Sequence, residues 1–165
     1  LKLLTPRRDH TSISSSSYGY FGGGVIPGPS VVCTIERLDF SSETVTMLQS
    51  NLSQARWTLS ATSNNFYGYF GGGNAPSVPG ISCTIDRLDF SSETVTTPTP
   101  KLSQARMDFT ASSSAFYGYF GGGYISFPNR VSTIDRLDFA TEIVTTPASK
   151  LSQSRSALIS LSNAN

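Results

Sequence analysis

The chain has 165 residues, with 12 Lys or Arg against 11 Asp or Glu and a net charge of +1 at pH 7. Charged residues make up only 14%, so there is no basic field for nucleic acid and no acidic run for a tail or a metal buffer. No apolar stretch approaches the roughly 20 residues that cross a bilayer, which argues against membrane insertion.

Leu1-Lys-Leu-Leu-Thr-Pro6 is too short and too polar downstream for a signal peptide and reads as the tail of a preceding unit. Residues 8–14 read as a short strand. Tyr18-Gly-Tyr-Phe-Gly-Gly-Gly24 then opens a pattern that returns as Tyr67-Gly-Tyr-Phe-Gly-Gly-Gly73 and Tyr117-Gly-Tyr-Phe-Gly-Gly-Gly123. Ile35-Glu-Arg-Leu-Asp-Phe40 returns as Ile85-Asp-Arg-Leu-Asp-Phe90 and Ile134-Asp-Arg-Leu-Asp-Phe139. Leu52-Ser-Gln-Ala-Arg56 returns as Leu102-Ser-Gln-Ala-Arg106 and Leu151-Ser-Gln-Ser-Arg155. A unit of 49–50 residues is thus written three times. A repeat of this length is one supersecondary unit that cannot bury its apolar face alone and must stack on its neighbours.

The unit from Trp57 to Arg106 reads as four antiparallel strands, a to d. Trp57-Thr-Leu-Ser-Ala-Thr-Ser63 is strand a, and Asn64-Asn65 supplies a turn. Phe66-Tyr-Gly-Tyr-Phe70 is an aromatic strand b, ending in glycines that let the backbone turn and a neighbour approach. A Pro- and Gly-containing loop over residues 74–82 leads to strand c, Thr84-Ile-Asp-Arg-Leu-Asp-Phe90. Ser91-Ser92 turns the chain into a short strand d, Glu93-Thr-Val-Thr96. No segment keeps a helical period.

A four-stranded sheet repeated in tandem about every 50 residues is the plan of a propeller blade. The expected fold is all-β: three blades at about 7–55, 56–105 and 106–154, plus the first strand of a fourth at 155–165. The small residues of strand a (Ser14, Ala61, Ala111, Ser160) suit the crowded axis. Strand b and the Leu and Phe of strand c can pack between blades. The pairs Arg37/Asp39, Arg87/Asp89 and Arg136/Asp138 each share one face of strand c and read as structural charge ladders at or between blades. Cys33 and Cys83 hold one repeat position in adjacent units, further apart than the ~7 Å Cα limit of a disulfide, so they read as free thiols.

The order of Arg, an aromatic strand ending in Gly-Gly, and a strand ending Leu-Asp-Phe before Ser-Ser-Glu-Thr resembles the kelch repeat. The kelch tryptophan near strand d is missing, and Val45, Val95 and Val144 stand nearby. The wording as a whole is similar to kelch-type repeats in structural proteins of marine bacteriophages. That resemblance implies a kelch-like β-propeller in a virion, as a tail, fibre or capsid-associated part. Kelch proteins that bind ligands often use arginines near the start of strand a, where this chain has Arg7, Arg56, Arg106 and Arg155. The other reading is that each Arg pins its d–a loop by hydrogen bonds to the backbone.

The repeats differ chiefly in two loops. The b–c loop reads Val25-Ile-Pro-Gly-Pro-Ser30, Asn74-Ala-Pro-Ser-Val-Pro79 and Tyr124-Ile-Ser-Phe-Pro-Asn-Arg130, and the d–a loop also changes, ending at Lys101 in the second unit. Both loops leave an up-down blade at the same end, where binding is commonly placed. The candidate partner contacts are therefore Tyr124, Phe127 and Arg130, with Arg56, Arg106 and Lys101. Loose drift of an unconstrained loop is the bland alternative for the third b–c loop.

The sole histidine, His10, supports neither a metal cluster nor a catalytic triad, and the carboxylates recur as structural groups do. Neither an enzymatic activity nor a cofactor is expected. The chain's phase, three units and one strand, suggests an excerpt of a longer polypeptide in a larger closed propeller, or several chains completing a ring. The leading expectation is a non-enzymatic structural or adhesion module, meeting another virion or scaffold protein or a host surface glycan or protein. Rival expectations are a cellular peptide-binding adaptor with a basic pocket around the axis, extracellular or cytoplasmic, and a glycan-binding propeller with Tyr69 and Tyr119 exposed.

Overall fold

The aromatic words form strands because aromatic side chains favour the pleated surface, while the glycines between them leave room for a neighbouring sheet. The computed structural model describes residues 2–76 and 80–159. The first repeat holds β1 (Thr11–Ser14), β2 (Tyr18–Gly22), β3 (Val25–Ile26), β4 (Ser30–Val31), β5 (Ile35–Asp39) and β6 (Val45–Met47). The second holds β7 (Ser60–Ser63), β8 (Tyr67–Gly71), β9 (Asn74–Ala75), β10 (Gly80–Ile81), β11 (Ile85–Asp89) and β12 (Val95–Thr96). The third holds β13 (Thr110–Ser113), β14 (Tyr117–Gly121), β15 (Tyr124–Ser126), β16 (Asn129–Arg130), β17 (Ile134–Asp138) and β18 (Val144–Thr145).

Three antiparallel sheets result, ordered β1-β2-β5-β6, β7-β8-β11-β12 and β13-β14-β17-β18. They are the a-b-c-d blades of a kelch-like β-propeller. Between strands b and c each repeat adds a two-stranded hairpin, β3-β4, β9-β10 or β15-β16, where the sequence suggested only a loop. Strand a of the second blade starts at Ser60 rather than Trp57. The reason is local: Thr58 takes a left-handed φ of 52°, and Trp57 pairs instead with Asn74 of the hairpin. Strand d starts at Val95 because Glu93 is also left-handed. Residues 156–159 carry no strand. The rest of the expected fourth strand, Ser160 included, and part of the second b–c loop lie outside the described residues.

The core lies between blades rather than inside them. One cluster joins Ile13, Tyr20, Ile35, Leu48 and Leu52 to Leu59, Phe70 and Leu88 of the next blade. A second joins Tyr69, Ile85 and Leu102 to Phe109, Phe120 and Leu137. Val45, Val95 and Val144 are half-buried, and the last two flank these clusters. Phe70 lies over Gly22, where an added Cβ would come within 2.8 Å of its ring. Burying a phenylalanine of this kind contributes about 1.5–3 kcal/mol.

Near the axis the three a strands line a space of about 440 Å³ with Ser12, Ser14, Ala61, Ser63, Ala111 and Ser113. At one end of this space the backbone forms a ladder from blade to blade. Thr58 N–H donates to Asp9 O (2.8 Å), Asp108 N–H to Thr58 O (3.0 Å), and Ala157 N–H to Asp108 O (2.8 Å). All four residues are left-handed, with φ between 52° and 56°. Cys33 and Cys83 are half-buried free thiols.

Candidate functional site

Two sets of hydrogen bonds decide which loops share an end. Phe40, Phe90 and Phe139 each donate N–H to the a–b turn of their own blade, at Ser17, Phe66 and Phe116, all at 3.0 Å. The a–b and c–d turns therefore lie together. At the other end the b–c hairpins pair with the segment entering strand a, as Arg8 with Val25, Trp57 with Asn74 and Met107 with Tyr124. The variable loops thus gather on one end.

The third hairpin brings an arginine, a tyrosine and a phenylalanine together. Arg130 donates to the Tyr124 hydroxyl from Nη2 at 2.7 Å and from Nε at 3.1 Å, and its guanidinium carbon stands 4.9 Å from the Tyr124 ring centroid. Nε also reaches Ser156 Oγ at 3.0 Å, tying the hairpin to the next repeat. The Ser156 hydroxyl and the Arg130 guanidinium hold the Tyr124 hydroxyl below the usual phenol value. Phe127 tilts against Tyr124 at 5.6 Å yet is 78% exposed, and Ile125 beside it is also exposed. The sequence's three candidates in this loop therefore form one surface unit: a cation over the Tyr124 ring, and the Phe127 ring against that tyrosine. In the first repeat the same end instead carries an open cleft of about 460 Å³ between residues 6–8 and 25–29.

Arg56 and Arg106 are placed differently. Both are fully buried. Arg56 donates to Gly72 O and Thr84 O at 2.9 Å, to Phe70 O at 3.4 Å and to Asp86 Oδ2 at 2.6 Å. Arg106 makes the same set with Gly122 O, Thr133 O, Phe120 O and Asp135 Oδ2. Arg7 repeats the arrangement with Gly23 O, Thr34 O and Glu36. An enclosed guanidinium whose Nη1 and Nη2 both donate within the scaffold is out of a partner's reach, so the exposed patch excludes Arg56 and Arg106. The contacts match the pinning reading instead. Asp86 also accepts from Ser53 N–H and the Thr97 hydroxyl, so one carboxylate holds the d–a connector to strands c and d. Leu52 N–H meanwhile donates to Cys33 O of the preceding blade, and the Leu-Ser-Gln-Ala-Arg word staples two blades together. Lys101 is exposed in the d–a segment, paired through its backbone with Thr84.

The charge pairs of strand c divide their work. Arg37 and Arg87 bind Glu93 and Glu142 of the next blade, both at 2.7 Å. Asp39, Asp89 and Asp138 cap their own c–d turns, and these hydrogen bonds, led by Ser41 at Asp39, hold the carboxyls below the usual range. Sequence reasoning missed Glu36, Asp86 and Asp135 as buried partners, although strict alternation puts Asp86 on the same face as buried Leu88. It also missed Phe66 and Phe116, exposed on the opposite end. Tyr20 and Tyr69 are buried and Tyr119 half-buried, so the recurring tyrosine does not present an equivalent exposed ring on each blade. Among the described residues, no three His, Cys, Asp or Glu side chains converge as a metal's ligands would.

No family model matches the chain, and no curated protein matches it. Among solved structures its fold is similar to that of YjhT, with a TM-score of 0.79 and 12% sequence identity over 92% of this chain and 54% of that one. The chain therefore spans about half the length of that solved chain. At this identity the likeness is one of fold, and it agrees with the propeller architecture described above.

Proposed function

We propose that the chain is a non-enzymatic structural or adhesion module that meets its partner through the b–c and d–a end. The observation that carries this reading is the third hairpin: Tyr124, Phe127 and Arg130 touch one another on a stapled scaffold, with Phe127 and Arg130 exposed and Tyr124 half-buried. Aromatic residues and arginine are the side chains most enriched where binding energy concentrates. Arg56 and Arg106, by contrast, serve the scaffold.

The setting we propose is a phage virion, as a tail, fibre or capsid-associated part touching another virion protein or a host surface glycan or protein. Its support is the wording of the repeat and the several similar blades a repeat presents, which make weak contacts additive. Mass spectrometry of purified phage particles tests the setting. Peptides of this chain at the abundance of other structural proteins support it. Peptides confined to the host-cell fraction overturn it.

A further inference from the structure

The net charge of +1 conceals a separation of charge between the two ends of the propeller. Arg7 and Glu36, Arg56 and Asp86, and Arg106 and Asp135 cancel in buried pairs. Most of the other carboxylates lie in the c–d turns: Asp39 and Glu43, Asp89 and Glu93, Asp138 and Glu142. Arg37, Arg87 and Arg136 of strand c offset only part of that charge. The hairpin end keeps Asp9 and Asp108, both in the axial ladder, and Asp9 is paired with Arg8. The lysines all stand at the hairpin end. Each comes five residues before the arginine that enters strand a: Lys2 before Arg7, Lys101 before Arg106 and Lys150 before Arg155. Lys101 pairs with Thr84 at the entry to strand c, and Leu151 N–H, beside Lys150, donates to Ser132 O at the same place in the third blade. All three lysines are exposed, as are Arg8 and Arg130. This exposure belongs to the end of a blade. Lys101 is open although its blade has a neighbour on each side, and so is the tip of the first hairpin, residues 27–30, with the second blade packed behind it.

The third hairpin adds a ring to these cations. Arg130 commits Nε and Nη2 to Tyr124 and Ser156, and its Nη1 has no partner among the described residues. Phe127, in the same hairpin, holds an apolar ring open to water. A free cationic donor and an open ring within one hairpin fit a carboxylate attached to an apolar face. A uronic acid sugar carries both, as its carboxylate and the C–H face of its ring. A polymer of such sugars repeats its charge, as the lysines repeat from unit to unit. A peptide strand would need a sheet edge to pair with, and β15 and β16 are only three and two residues long.

We propose that the hairpin end binds an acidic polysaccharide, with the lysines and Arg130 facing its carboxylates and Phe127 against a sugar ring. This rests on the reading above that the hairpin end is the contact surface, and it names the chemistry of the partner. Weak contacts repeated from unit to unit add along the polymer. The acidic turns of the opposite end repel the same polymer, so the propeller meets it in one orientation.

Titration of the purified chain against alginate, a polyuronate, tests this, with neutral dextran and poly-glutamate for comparison. Alginate is expected to bind about tenfold more tightly than poly-glutamate, and dextran not to bind. The affinity for alginate is expected to fall as ionic strength rises from about 0.01 M to about 0.15 M, where the screening length shortens from about 30 Å to about 8 Å. Lys101→Glu/Lys150→Glu is expected to lower this affinity about tenfold and to flatten its salt dependence. Phe127→Ala is expected to lower it by a similar factor with the salt dependence of the wild type. All three side chains are exposed, so both variants should melt with the wild type. Poly-glutamate bound as tightly as alginate would make the partner an acidic protein and overturn the proposal. Alginate binding that both variants leave intact would overturn it too. Absence of alginate binding overturns it in any case; if Tyr124→Ala/Phe127→Ala/Arg130→Ala still loses a host-cell or virion partner, the contact surface itself stands.

Discussion

Arg56 donates from Nη2 to Asp86 Oδ2 at 2.6 Å, and neither side chain is exposed to solvent. Burial pulls the Arg56 pKa down, and the Asp86 charge and its hydrogen bond pull it back up. Arginine nevertheless stays charged in proteins, so this is a true buried ion pair. It is sustained because the three backbone carbonyls, Ser53 N–H and the Thr97 hydroxyl supply hydrogen bonds that water would otherwise give. Removing one partner strands the other. Asp86→Ala is therefore expected to cost about 3–5 kcal/mol in urea unfolding, whereas the double change Arg56→Met with Asp86→Leu should recover most of that loss. A single-variant loss below about 0.5 kcal/mol, the scale of an ordinary surface change, would show that the pair is not a staple.

Thr58 is a β-branched residue at φ 52°, and its buried hydroxyl has no hydrogen-bond partner. Its counterparts in the axial ladder are Asp9, Asp108 and Ala157, none of them β-branched. Thr58→Gly keeps both backbone hydrogen bonds of the ladder and removes the left-handed strain. The expected result is a gain of about 0.5–1 kcal/mol, read from the urea midpoint. A loss of stability would mean that the Thr58 side chain contributes more than its strain costs.

Burial between blades, reinforced by the Glu93 and Glu142 carboxylates, pushes the Tyr20 and Tyr69 hydroxyls above the usual phenol value. The folded chain therefore holds these protons more tightly than the unfolded chain does. This stability is fully present below the unfolded value of about pH 10 and is lost as pH rises through the raised folded value. The urea midpoint is expected to fall between about pH 9 and about pH 11, and to fall less in Tyr20→Phe/Tyr69→Phe. Equal slopes in wild type and variant would remove these tyrosines as the cause.

The period made the blades legible, because Tyr-Gly-Tyr-Phe and Leu-Asp-Phe alternate apolar residues at the spacing of a strand. Counting strands per repeat then placed the variable loops on one end, and Tyr124, Phe127 and Arg130 together. The partners of the repeated charges were harder to read. Arg37 meets Glu93 across 56 residues, and nothing local distinguishes that glutamate from a solvated turn residue. Arg56 reads equally well as a ligand contact or a pin until the fold brings Asp86 beneath it. The hairpins were hidden by their Pro and Gly content, since strands of two or three residues owe their order to pairing with the entry to strand a.

The most direct measurement compares both ends of the propeller for binding. Wild type, Tyr124→Ala/Phe127→Ala/Arg130→Ala, and the opposite-end variant Phe66→Ala/Phe116→Ala are titrated against intact host cells and against dissociated virion proteins. All five substituted positions are at the surface or half-buried, so all three proteins should melt alike. The hairpin variant is expected to lose about tenfold or more in affinity for whichever target the wild type binds, and the opposite-end variant to keep it. Full affinity in the hairpin variant, with the loss falling on Phe66→Ala/Phe116→Ala, would contradict the placement of the binding surface.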